Sequence, residues 1–334
     1  MEDKYMMISK VRHSDLKVRR PVCMLAIGLA IVGMAGCASI SPAPFTAFAT
    51  SIQQVRDGAD ASLSVVHERT RDRYIAEAAE GDVAKVEALL LTQPPGDPFG
   101  WTSANPPLFL KAARFREGVY RLNSVLVGYA VLLGQLASPE LVSSEKFEQL
   151  AKDLNGNLRN AVQTLGVSSP SNKEIAIFST LATTAFRVYL QNKQRTSLLE
   201  ALNSNQPAIQ EAAELGASAV RLMAAALRHE YDLGSTKLAN LVAKPTVSSS
   251  QKQAAVGDLV ELDEKFIKEM SMLRILHQSY VAVPAAHLEL ASGVAHPKLG
   301  LPMVIELLEN GRELLRLYEE LSKEDEKKAA GTTK

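Results

Sequence analysis

Five histidines follow residue 37 in this chain of 334 residues: His67, His229, His277, His287 and His296. Imidazoles on helices are common material for metal binding and for acid–base chemistry. None of the five has a glutamate three residues before it, so the Glu-x-x-His pair of helical di-iron bundles is absent. His229-Glu230-Tyr231-Asp232-Leu233 starts like a zincin motif, but Leu233 stands where the second histidine must be. On one helix, His277 and His287 point about 80° apart at 100° per residue. A site built from them and His296 would need Pro284 to bend that helix. Helix ends and surface positions account for these histidines, and no metal ligand is assigned. Asp153-Leu154-Asn155-Gly156-Asn157 begins like a calcium loop, but its sixth position is Leu158 rather than Gly and its twelfth is Thr164 rather than Glu. No nucleophile elbow, phosphate-binding loop or dinucleotide fingerprint occurs. Glu319-Glu320 and the pair Glu261 and Asp263 sit among polar helix positions, where no burial tunes a carboxyl group for proton transfer. No catalytic residue or cofactor is assigned, and the chain reads as a non-enzyme.

The most informative reactive side chain is a thiol. The chain has two cysteines, Cys23 and Cys37. Lys10, Arg12, Lys17, Arg19 and Arg20 form a cationic stretch, after which Pro21 to Gly36 (PVCMLAIGLAIVGMAG) carries no charge. A basic region, an apolar run and small residues at a processing site make an export signal. The run is shorter than the roughly 20 residues a permanent membrane helix needs. Positive charge ahead of it keeps the N-terminus on the cytoplasmic side, so the remainder is exported.

Met34-Ala35-Gly36-Cys37 resembles the lipobox of bacterial lipoproteins, with Met34 in place of the more usual Leu. The resemblance covers only the leader. It implies cleavage between Gly36 and Cys37, a diacylglycerol on the Cys37 sulfur and an N-acyl chain (palmitate among them) on the new terminus. Ala38, where an Asp would favour retention in the inner membrane, implies the periplasmic face of the outer membrane; the inner membrane is the alternative. An uncleaved signal anchor and an ordinary signal with an incidental cysteine also fit the same residues. After processing, the body has no cysteine to oxidise and must rest on core packing. Two acyl chains hold a protein stably where one is marginal, at about 0.8 kcal/mol per buried methylene.

The elements that position these residues read as helices only. Phe45, Phe48, Ile52, Val55, Ala59, Leu63, Val66, Thr70 and Tyr74 step by three and four; Gly81-Asp82 is a point of interruption, and Val83, Val86 and Leu90 resume the rhythm beyond it. This predicts a first helix of about 45 residues, roughly 68 Å long, after a stiff Ser41-Pro42-Ala43-Pro44 tether. Residues 93–107, with five prolines, break the pattern. A second helix is predicted from Leu108 to Ala137, a third from about Ser143 to Leu165 and a fourth from Lys173 to Leu202. Asn203 to Pro207 reads as a turn or kink, with Pro207 opening a further helix to Val242. Lys244 to Ser250 (KPTVSSS) is a linker. Beyond it, Leu259, Leu262, Phe266, Met270, Leu273 and Tyr280 mark one helix, and Val304, Leu307, Gly311, Leu314, Tyr318 and Leu321 another. Short loops between helices favour antiparallel neighbours. The expected fold is all-α: an elongated up-and-down bundle of about six to seven helices, some long and coiled-coil-like. The expected organisation is a signal peptide (1–36), a lipidated Cys and tether (37–44), the bundle (45–322, with a subdivision near 244–250) and a disordered tail (323–334).

Lys plus Arg and Asp plus Glu both total 37, which lacks the basic excess of a nucleic-acid binder. Six of those cations and three of those anions lie in residues 1–37, so the processed body is slightly acidic, at 31 against 34. No polybasic patch remains to bind anionic lipid; the membrane contact is left to the anchor. The only tryptophan, Trp101, lies beside Phe99 in the proline-rich stretch. The pair reads either as a protein-partner contact or as a plug over the end of the bundle. These features favour a lipid-anchored periplasmic protein with a structural, scaffolding or envelope-assembly role. The alternatives are a module that sequesters an apolar ligand between its helices and an enzyme of unrecognised type.

Overall fold

A computed structural model describes residues 40–79, 81, 108–137, 194–296 and 301–331, and five helical positions between 157 and 165. Cys37 with its leader, Phe99, Trp101 and most of the helices expected over 143–165 and 173–193 fall outside the described residues. Within those residues there are five α-helices and no strand: α1 (Ala43–Ala79), α2 (Leu108–Ala137), α3 (Gln194–Ala243), α4 (Ser249–Ala295) and α5 (Pro302–Gly331). Ile40–Lys334 forms one compact unit.

The apolar rhythm explains which faces are buried. In α1, Phe45, Phe48, Ile52, Val55, Ala59, Leu63, Val66 and Thr70 are buried, as their spacing predicts, while Tyr74 is half-buried. In α5, Val304, Leu307, Leu314 and Leu321 are buried and Tyr318 is half-buried. Burying one such large apolar side chain contributes about 1.5–3 kcal/mol. Together with α2, these faces form one continuous core with the first half of α3 and the second half of α4. α2 alone among the described helices is long and apolar enough to cross a membrane, but more than half of that stretch is buried within the unit.

Side-chain pairs give the helix directions. Arg116 on α2 meets Asp60 on α1 at 2.7 Å, Gly134 faces Phe45, and Phe109 contacts Tyr74, so α1 and α2 are antiparallel. Gly58 lies against Leu314 and Gly311 against Gln54, so α1 and α5 run parallel. Gln206 reaches Pro284, Gly216 lies under the Tyr280 ring and Tyr231 stacks on Phe266, so α3 and α4 form an antiparallel hairpin. Phe48 near His287 and Arg69 paired with Glu269 set α4 antiparallel to α1, so directions alternate among the five described helices, and α1 touches the other four. A Cβ on Gly58 would fall 2.7 Å from Leu314 Cβ, and one on Gly311 would fall 2.6 Å from Gln54 Cβ. Two glycines thus permit the close approach of α1 and α5.

Four boundaries differ from the sequence expectation. Ala43 and Pro44 belong to α1, where Pro44 sits in the first turn and sacrifices no helical hydrogen bond. α1 is assigned through Ala79, and Gly81 follows at φ +99, a left-handed conformation that suits glycine and interrupts the helix; the continuation expected at Val83, Val86 and Leu90 lies outside the described residues. Pro207 does not open a helix but lies inside α3, which runs unbroken through Asn203–Pro207. Leu198, Leu202, Ile209 and Ala213 are buried on both sides of it, and Asn205 donates its side-chain N–H to the Ala201 carbonyl. Core packing on both sides outweighs the one lost backbone bond. Finally, α5 continues to Gly331 through residues 323–331, which the sequence reading gives to a tail; Glu, Lys and Ala are good helix formers. Between α3 and α4, Lys244–Val247 form a tight connection, and Ser248 opens α4 with a capping box to Gln251. The Glu289 carboxylate accepts from the backbone N–H groups of Met303 (2.9 Å) and Val304 (3.2 Å), capping α5 in turn.

Candidate functional site

The structure does not bring the histidines together. His287 is fully buried on α4, His277 contacts Arg221 at 3.1 Å, and His296 closes α4 with its backbone N–H to Ser292. His67 borders a separate cleft of about 300 Å³ with Asp60 and Arg116, and burial lowers its pKa first, with Arg116 adding to the effect. His229 is exposed, and its neighbour Glu230 pairs with Arg73 of α1 at 2.6 Å. Asp263 accepts the Tyr231 hydroxyl at 2.5 Å; Glu319 and Glu320 pair with Lys323 and Arg316 on the surface of α5. Among the described residues, no three His, Cys, Asp or Glu side chains group as metal ligands would.

His287 anchors a polar network that the sequence did not reveal. The Tyr129 hydroxyl on α2 lies 2.6 Å from His287 Nε2, and Gln206 Oε1 on α3 lies 2.6 Å from Nδ1. Gln206 Nε2 donates to the Pro284 carbonyl at 3.1 Å, which fixes the amide with its oxygen toward the ring. Nδ1 therefore donates, Nε2 accepts from tyrosine, and the imidazole is neutral. Burial lowers the His287 pKa to about 4 and raises that of Tyr129 well above the ordinary phenol. Two turns earlier on α4, the buried Tyr280 hydroxyl donates to Asn123 Oδ1 at 2.9 Å. Both ring nitrogens of His287 are engaged and shielded, so the network locks α2, α3 and α4 together and offers no base to a substrate.

Gln206 and Tyr280 also border a groove between α3 and α4 of about 610 Å³. Gln210, Glu214, Ser218 and Arg221 line its α3 side, and Val281, Pro284, Ala285 and Leu288 its α4 side. This is a half-polar surface cleft, with Glu214 and Arg221 supplying charge on its α3 side and apolar side chains on its α4 side.

The far half of the α3–α4 hairpin is a second notable surface. No residue of α3 from 231 to 243 is buried, and from 249 to 268 in α4 only Ala255 is. There the two helices pack on each other through Tyr231, Phe266, Gly234 and Leu262. This arm lies beyond the buried Arg69–Glu269 pair and beyond Arg73–Glu230, which close that end of the core. Val256 (46% exposed), Val260 (52%) and Ile267 (64%) face solvent on it. The sequence showed the apolar positions but not which of them would be left exposed by the other described helices. Compared with known proteins, the chain matches no family model, no curated protein and no solved structure.

Proposed function

We propose that the protein is a lipid-anchored envelope component of the bacterial periplasm, held at the outer membrane through acylated Cys37, with a structural, scaffolding or assembly role. The arm carries this reading: a helix pair with valine and isoleucine exposed on a rigid, well-filled body is suited to meeting another protein surface. The core beneath it is filled by Phe45, Phe48, Tyr129, Tyr280 and leucines that are fully buried, which favours a rigid carrier over a container for an apolar ligand. Helices over 143–165 and 173–193 complete an elongated up-and-down bundle of six or seven. Phe99 and Trp101, between α1 and α2 in sequence, supply a further partner contact.

The α3–α4 groove favours a second reading, a module that binds an amphipathic ligand along Val281 and Leu288 with its polar end toward Gln210 and Arg221.

The anchor is tested directly. Cys37→Ser removes the only thiol at the lipobox, so fatty-acid labelling and membrane retention are both lost while the helical content stays unchanged. A Cys37→Ser product that still takes up labelled lipid would refute the anchor.

A further inference from the structure

We infer that the arm pairs with the arm of a second copy of this chain, tip against base, to make a four-helix bundle. The inference rests on reading the arm as a contact surface and names what that surface contacts.

Three observations lead to it. Ala255, Leu259 and Leu262 turn toward α3, with Ala255 buried and the two leucines half-buried, whereas Val256, Val260 and Ile267 lie about a quarter turn further round α4 at 100° per residue. A quarter turn is where the next helix of a four-helix bundle packs. The exposed residues step by four and by seven, so they form one seam on that side. The net charge changes sign along the arm: Lys244 and Lys252 are the only charged residues from 238 to 255, whereas toward the base Asp232, Asp258, Glu261, Asp263 and Glu264 outnumber Lys237, Lys265 and Lys268.

Polarity selects the orientation. Two arms side by side and pointing the same way set Lys252 against Lys252 and Glu264 against Glu264. Reversing one of them and placing Val256 level with the partner's Val260 brings Lys252 level with the partner's Glu264. A two-fold axis gives that contact twice and buries both valine pairs. A heterologous partner would need to reproduce both the apolar seam and the reversed charge order, and the chain already carries both. Antiparallel arms set the two bodies at opposite ends, so both anchors are satisfied when the pair lies along the membrane surface.

The full-length lipidated protein in detergent tests this by sedimentation. The wild type sediments as a dimer, and Val256→Glu with Val260→Glu weakens the pairing at least tenfold. Both valines are about half exposed, so the thermal unfolding midpoint of the body stays unchanged. Orientation is read by oxidative cross-linking in a Cys23→Ser background, because Cys37 is consumed by lipid. A mixture of Lys252→Cys and Glu264→Cys chains cross-links, whereas Lys252→Cys alone does not, since like sites lie about 18 Å apart along the axis. A monomeric wild type, a double variant that stays dimeric, or cross-linking by Lys252→Cys alone would each overturn the inference. A monomer still held by lipid would sink the pairing and leave the anchored reading intact; a dimer released from the membrane would do the reverse.

Discussion

At the scale of single residues, His287 decides how this fold responds to acid. In the folded protein its pKa is about 4, because burial between Phe48, Tyr129 and Gln206 penalises the charged ring. In the unfolded chain it returns to about 6.5. The folded value is the lower one, so the unfolded state binds the proton more readily. The stabilisation is complete above pH 6.5 and is lost as the pH falls from about 6.5 to 4, with a slope near 1.4 kcal/mol per pH unit. Most carboxylates titrate below pH 5, so the upper part of this window reports the histidines. Urea unfolding from pH 7 to 5 is therefore steeper in pH for the wild type than for His287→Gln; equal slopes would show that His287 does not stay neutral in the fold. None of this was legible in the sequence. Tyr129 and Gln206 lie 158 and 81 residues from His287, and no local pattern connects positions so distant.

At the scale of elements, what could be read was what a single helix expresses alone. Eight residues of the α1 stripe, from Phe45 to Thr70, are buried as their spacing requires, and α2 has the predicted limits Leu108 and Ala137. Asn203 to Pro207 misled because Asn203, Ser204, Asn205 and Pro207 favour a turn locally, while Gln206 ties the segment to Pro284 and His287 of α4, 78 and 81 residues away. Glycines carry the same lesson. Gly311 and Gly257 are alike as sequence, and an alanine at either gains up to about 1 kcal/mol in helix propensity. At Gly257 the added methyl meets nothing within 4 Å, so Gly257→Ala raises stability by about 0.5–1 kcal/mol. At Gly311 it meets Gln54 Cβ at 2.6 Å and the Gln54 backbone carbon at 3.2 Å, so α5 must move off α1. Overpacking of this kind costs about 1–3 kcal/mol. Gly311→Ala thus lowers the thermal midpoint of the core, whereas Gly257→Ala acts on the arm and is read as slower amide exchange there; a stabilising Gly311→Ala would mean that α1 and α5 do not approach this closely.

At the scale of the whole molecule, stability is divided unevenly along the α3–α4 hairpin. Between Leu198 and Leu227 in α3, and between Met272 and Val294 in α4, buried side chains tie the helices to α1, α2 and α5. Amides there exchange with solvent only when the core opens, at a cost approaching the global unfolding free energy. From 231 to 268 the helices have each other and, among buried residues, only Ala255. Isolated helix pairs of this length are marginal, so an unpaired arm opens without disturbing the core. Hydrogen exchange separates the cases. In the Val256→Glu, Val260→Glu chain, amides of the arm exchange orders of magnitude faster than those around Leu122 or Leu276, and the core rates match the wild type. In the wild type, arm protection rises with protein concentration, because an arm covered by a second copy must dissociate before it frays. Arm protection independent of both concentration and the valine substitutions would mean that the hairpin is held by its own two helices, and the exposed seam would then play no part in its order.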